Sequence, residues 1–270
     1  GFVMSGYFIG IFIGSFLVPL ILAKVGHIRV FGAMAALASA SVLVHSILLD
    51  PFIWICMRLA SGFCFAGMFI VCESWLNEKA TNKTRGQLLS LYMITNMLGM
   101  GLGQMMIGFS NNETSTLFII ASVIVSIAVV PILITATPVP DFEAPERLSL
   151  HRLFQVSPLA VVGMSLVGVT IAMIFGMGAF YARSIGLNNF QIGYFMSSLT
   201  IGTLILQYPV GRLSDKFDRR LVILGTSIVA GLSILSAVFF NTQQFIYLLI
   251  SMAIFGGLCF ALLSLMIAHA

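Results

Sequence analysis

Apolar residues along this chain gather into nine long runs separated by short polar breaks. The runs cover 2–23, 30–49, 52–76, 88–109, 116–136, 158–182, 191–211, 221–240 and 245–268. Each is close to or above the roughly 20 residues a helix needs to cross a bilayer core of about 30 Å. No stretch shows the period-two alternation of a half-buried strand. In lipid a backbone must satisfy its own polar groups, so the pattern predicts an all-α polytopic membrane protein with nine transmembrane helices. Trp54 and Trp75 flank the third run, 21 residues apart, or about 31 Å of helix. Tryptophan favours both membrane interfaces, so this run is expected to cross with little tilt.

Composition supports that reading. Of 270 residues, 59% are hydrophobic and only 8% are charged, against about 25% charged in soluble domains. So few charges cannot solvate a globular surface. The net charge of +4 is carried in short loops, where it meets lipid phosphates rather than nucleic acid. Loops on one side hold Lys24, Arg29, Lys79, Lys83, Arg85, Arg147, Arg152, Arg212, Lys216, Arg219 and Arg220, which is 11 of the 13 basic residues. The opposite loops hold Arg183, and Arg58 lies within a span. This asymmetry places the basic side in the cytoplasm. Cys56, Cys64, Cys72 and Cys259 all sit inside apolar runs without C-x-x-C spacing, which reads as buried free thiols.

The chain also repeats itself. Gly1, Gly10, Lys24 and Val25 align with Gly193, Gly202, Lys216 and Phe217 at an offset of 192 residues. A second echo, at an offset of 195, relates Gly62-Phe63-Cys64-Phe65-Ala66 to Gly257-Leu258-Cys259-Phe260-Ala261. Three prolines and five charges mark 137–157 as a linker between an N-terminal bundle, 1–136, and a C-terminal bundle, 158–270. The linker's tail, 148–154, reads as a short interfacial helix. The repeated basic loop follows the first span of one half and the second span of the other. One span is therefore expected before Gly1 and two after Ala270, giving a parent of six plus six. Parallel repeats in a membrane protein point to a secondary transporter with its site between the halves.

These residues resemble the major facilitator superfamily. Its loop after the second helix of each half reads roughly G-x-L-x-D-R-x-G-R-R, and Gly211, Leu213, Asp215, Lys216, Arg219 and Arg220 match it, with Asp218 in place of the second glycine. The first-half copy keeps Lys24 and Gly26, with Pro19 and Ala23 replacing the first glycine and the aspartate. The family's fourth helix carries R-x-x-x-G-x-x-x-A, matched by Arg58, Gly62 and Ala66. The stretch 58–103 looks like the bacterial YcaD-like branch. Gly99, Gly103 and Gly108 match the fifth-helix antiporter signature, but Gln104 stands where proline is usual.

The resemblance implies a two-bundle pseudo-symmetric fold, present here as helices two to ten of twelve. It also implies a monomer in the bacterial inner membrane, among lipids, carrying a small molecule by alternating access, with a proton as coupling partner. Efflux is the first reading and uptake the second. A non-transporting membrane scaffold or receptor is the alternative of another class. Enzyme motifs are absent from the sequence, so no catalytic residue, cofactor or metal is expected.

Candidate residues follow. Gly211, Asp215, Lys216, Arg219, Arg220 and Lys24 would form the latch that the resemblance assigns to these loops, or a plain positive-inside anchor. Asp215 and Arg219, four apart, can pair if they share one helical turn. Arg58 is either a functional intramembrane charge or a side chain snorkelling to the interface. Glu73 shares its helical stripe about 22 Å away, as the other end of a pathway or as an interfacial carboxylate. Tyr92, Asn96, Gln104, Gln207 and Tyr208 are polar groups within spans and candidates for lining a substrate path. Gly99, Gly101 and Gly103 permit close helix approach or a hinge. His45 reads as a satisfied interior histidine.

Overall fold

The computed structural model describes residues 2–81, 84–109, 115–134, 150–239 and 245–269. All secondary structure among them is helical: α1 (Phe2–Val25), α2 (His27–Ile47), α3 (Pro51–Lys79), α4 (Arg85–Met105) with a 3-10 turn (Met106–Phe109), α5 (Ser115–Ile134), α6 (Leu150–Val156), α7 (Pro158–Ser184), α8 (Asn189–Lys216), α9 (Arg219–Phe239) and α10 (Phe245–His269). Each of the nine apolar runs is a helix. The short α6 occupies the tail of the expected linker, whose remainder lies outside the described residues, as does Lys83.

Local chemistry explains the starts and stops. The Asp50 carboxylate accepts from the backbone N–H of Phe52 (2.9 Å) and Ile53 (3.0 Å) at the start of α3, with Pro51 in the first turn. Asn188 and Gln191 cap α8 reciprocally, which satisfies two of the donors a helix start leaves open. Gly26 joins α1 to α2 at φ 89°, a backbone state that a side chain would strain.

Among the described residues seven helices are long and apolar enough to cross a membrane, and α4 and α8 are long enough but more polar. On α8 the polarity is turned inward. Ser197, Ser198, Thr200 and Thr203 are buried. The Ser198 and Thr203 hydroxyls donate to carbonyls of α8 itself, and Ser197 donates to the Gly101 carbonyl at 3.0 Å. A helix screened by neighbours can carry such groups without exposing them to lipid.

The chain forms two compact units, one of residues 1–92 and 110–146, the other of 93–109 and 147–270. The core of unit 1 is the contact of α1 with α3. Gly6, Gly10 and Gly14 are buried along one stripe of α1. A Cβ on Gly10 would run into the Leu59 carbonyl and the Phe63 nitrogen, and one on Gly62 into the Tyr7 carbonyl. Unit 2 repeats the device between α8 and α10. A Cβ on Gly202 would run into the Ala253 backbone, and one on Gly256 would lie 2.6 Å from the Leu199 carbonyl.

The repeat is therefore real in three dimensions, with one correction. Tyr7 and Gly10 correspond to Leu199 and Gly202 at the expected offset of 192. On the partner helices, Leu59 and Gly62 correspond to Ala253 and Gly256, an offset of 194 rather than 195. Gly256 and Gly257 are adjacent, and only the backbone contact tells which of them stands for Gly62.

A polar tie holds α2 to α5. The Ser39 hydroxyl lies 2.8 Å from both the Ser122 and Ser126 hydroxyls and donates to the Ser122 carbonyl at 3.1 Å. Interhelical hydrogen bonds of this kind contribute about 0.6 to 2 kcal/mol in membranes. Ser39→Ala is expected to destabilise the protein by an amount within that range, read as a lower melting temperature in detergent. Ser46→Ala, which loses a bond only to its own helix, is expected to melt like the wild type.

Candidate functional site

The loop 211–220 is not one helical turn. α8 ends at Lys216 and α9 begins at Arg219, so Asp215 and Arg219 lie on different helices and the expected pairing within one turn does not apply. The break falls at Phe217 and Asp218. The Asp218 carboxylate accepts from the Arg220 backbone N–H at 2.8 Å, and so caps α9. Asp218 thus answers with a side chain what Gly26, its equivalent at offset 192, answers with a left-handed backbone. Ser214 donates to the Gly211 carbonyl at 3.0 Å, and Arg212 lies over the Tyr208 ring, 4.6 Å from its centroid. Lys24 and Lys216 occupy matching last turns of α1 and α8.

The other polar residues fall into separate groups. In unit 1 the Tyr92 hydroxyl donates to Glu73 Oε1 at 3.5 Å, a long bond. In unit 2 the Gln207 amide donates to the Ser264 hydroxyl, also at 3.5 Å. Asn96 and Gln104 are half-buried on the part of α4 that belongs to unit 2. The Gln104 carbonyl backs onto Gly193, 3.1 Å from where its Cβ would be. Tyr208 is 65% exposed and meets Arg212 rather than facing a helix interior. The space beside Gly99 and Gly103 is open, so these glycines do not mark a close approach. Gly108 does, since a Cβ there would lie 2.6 Å from the Phe190 ring.

Arg58 sits near the Trp54 end of unit 1, one turn before Gly62 on the stripe of α3 that faces α1. Its Nε is buried and has no hydrogen-bond partner among the described residues. Its electrostatic neighbours are Tyr7 on α1 and His45 on α2. His45 is packed between Trp54 and Phe118 and donates from Nδ1 to the Ser41 carbonyl at 2.7 Å. Its Nε2 is buried without a partner, so the expectation of a satisfied interior histidine holds for one nitrogen only. Sequence spacing singled out Arg58 but not Tyr7, because which α1 residue faces it depends on how α1 and α3 cross.

At the other end of unit 1, His27 Nε2 lies 3.0 Å from the Ser74 hydroxyl. Unit 2 has a half-open pocket of about 290 Å³ lined by Met173, Met177, Tyr181, Phe195, Ile234 and Met252 among others. None of the expected lining residues faces it. Cys64 and Cys259 are buried, whereas Cys56 is exposed, contrary to the reading of all four thiols as buried. Among the described residues no three His, Cys, Asp or Glu side chains gather as metal ligands would.

A family model described as Major Facilitator Superfamily matches residues 1–270. The chain belongs to this superfamily. It is 27% identical over 225 residues to the MFS-type transporter YcaD of Escherichia fergusonii, covering 83% of this chain and 59% of that protein. The YcaD protein of Escherichia coli O6:K15:H31 is 26% identical with the same coverage. The chain thus spans about three-fifths of the length of these relatives. Among solved structures, a D-xylose-proton symporter superimposes with a TM-score of 0.71 at 15% identity, over 97% of this chain and 69% of that one. A bacterial homologue of the human lysosomal transporter Spinster, inward-facing and occupied, gives 0.67 at 12% identity, over 98% of this chain and 71% of that one. At these identities the likeness shows the major facilitator fold.

Loss of the α9 cap measures how firmly the turn of this superfamily member is set. Asp218→Ala is expected to destabilise by about 0.5–2 kcal/mol, and Asp218→Asn, which still accepts a bond, by far less. Thermal unfolding in detergent reads the difference.

Proposed function

We propose that the complete protein is a secondary transporter, moving a small molecule by alternating access of two helical bundles. The bundles are 1–136 and 158–270, with 137–157 as the link between them. The observation that carries this reading is the family match over the whole chain, on a fold whose two units repeat one backbone crossing. Parallel repeats with a site at their interface are a recurring plan of such transporters. The basic loops face the cytoplasm of a bacterium, and the protein works in the inner membrane as a monomer. Lys24, Gly211, Asp215, Lys216, Arg219 and Arg220 latch one of its two states. Tyr92, Asn96, Gln104, Gln207 and Tyr208 contribute to the substrate path.

Proton coupling is supported by Glu73, a carboxylate within an apolar helix bonded to Tyr92. Intramembrane carboxylates commonly serve as proton sites. Efflux by proton exchange is the direction proposed, with proton-coupled uptake as its alternative within the class. A non-transporting scaffold or receptor would bind its partner and move nothing.

The test is flux of a metabolite and drug panel in proteoliposomes holding the complete protein, with an imposed pH gradient. Gradient-dependent movement of at least one solute is the expected result. No flux for any panel member, together with stable association with another protein, would favour the scaffold. Asp215→Asn is expected to insert and express normally but to slow turnover. Wild-type turnover would reduce the loop to a simple anchor.

A further inference from the structure

Among the described residues, the cluster of Arg58, Tyr7 and His45 is short of one group. A guanidinium stays charged in a protein, and a buried charge without a partner is costly. Arg58 nevertheless leaves its Nε buried and without an acceptor. The carboxylate nearest in sequence, Asp50, is committed to capping α3. Glu73 lies about four turns away along the same helix and bonds Tyr92 instead. The charge's neighbours, Tyr7 and His45, carry no carboxylate. His45 is 2% exposed. Its Nδ1 must be the donor toward the Ser41 carbonyl, so the neutral ring presents at Nε2 a lone pair that no described residue fills. The cluster therefore holds an unused cationic donor and an unused acceptor, both buried, at one end of the α1–α3 crossing.

We infer that Arg58 anchors an anion subsite in unit 1, which takes a carboxylate or phosphate group of the transported solute. This deepens the transport reading and rests on it. Gly62, one turn on from Arg58, abuts the Tyr7 backbone, so α1 closes against α3 next to the guanidinium's turn. A solute that also carries a hydroxyl or amino hydrogen can satisfy His45 Nε2. The same chemistry is offered by a phospholipid headgroup, since Arg58 lies only four residues from Trp54, an interfacial residue type.

The complete protein, purified in a neutral detergent, is titrated with benzoate, inorganic phosphate and neutral benzamide while thermal unfolding is followed. A parallel arm adds phosphatidylglycerol or phosphatidylcholine. Benzoate or phosphate is expected to raise the melting temperature and benzamide to leave it unchanged. Arg58→Gln is expected to weaken the anion effect about ten- to hundredfold, the worth of a charged hydrogen bond. Without anion, Arg58→Gln is expected to melt at or above the wild type, since it removes an unpaired charge.

A lower melting temperature for anion-free Arg58→Gln would mean that Arg58 already has its partner, and would overturn the inference. So would an equal response of both proteins to benzoate and phosphate, or no response at all. Stabilisation by phosphatidylglycerol but by neither soluble anion would assign the site to lipid and overturn the link to the solute. Liposome flux separates the two readings. Transport of a neutral solute indifferent to Arg58→Gln removes the subsite and keeps the transporter. Anion binding through Arg58 without any flux keeps an anion site and removes the transporter.

Discussion

The structure depends on backbone meeting backbone at two helix crossings. Lipid tails are as apolar as leucine, so helices in a bilayer gain little by hiding apolar side chains from their surroundings. Close packing must supply the attraction instead, and glycine permits it. Gly10 and Gly62 bring α1 against α3, and Gly202 and Gly256 bring α8 against α10, until no Cβ fits between them. Two helices outside the crossings are more loosely held: α5 has Ser122 as its buried residue, and α7 has Ala160 and Ala182. The crossings also fix which residues face each other, and so set Arg58 beside Tyr7 in one unit and Thr203 toward α10 in the other.

The two units solve one further problem differently. Each must reverse the chain after its crossing helix, past a lysine in the last turn. Unit 1 does so with Gly26 at positive φ and no side-chain cap. Unit 2 uses Asp218, whose carboxylate holds the first turn of α9. The second solution packs charge into the loop, while the first leaves a plain basic turn. A duplicated fold can thus keep its geometry while one copy of a loop retains more of the family's charged pattern than the other.

Much of this was legible in the residues. Runs of about 20 apolar residues mark helices in a membrane chain almost without competition, and Asp50 with Pro51 or Asn188 with Gln191 announce where two of them start. The repeat in Gly10 and Gly202 was legible too. What the sequence could not supply was register between helices. The second echo matches better at Gly257, yet the Leu199 carbonyl shows that the adjacent Gly256 stands for Gly62. Gly99 and Gly103 carry a packing motif, yet their neighbouring space is open, because glycine spacing states what a helix permits and not what approaches it. The expectation that Asp215 and Arg219 share one helical turn assumed a continuous helix, which breaks at Phe217 and the Asp218 cap. The orphaned Nε of Arg58 was invisible for the same reason as Tyr7: both depend on the crossing.

Glycine-to-alanine exchange tests the central claim most directly, because two principles predict opposite signs. By helix propensity alone, alanine should stabilise a helix by about 1 kcal/mol over glycine. If backbone contact at the crossings holds each unit, Gly10→Ala and Gly202→Ala must instead lower the melting temperature of the protein in detergent. Gly231→Ala, with nothing within 4 Å of its Cβ, should be neutral or stabilising. Equal or higher melting temperatures for Gly10→Ala and Gly202→Ala would contradict the account.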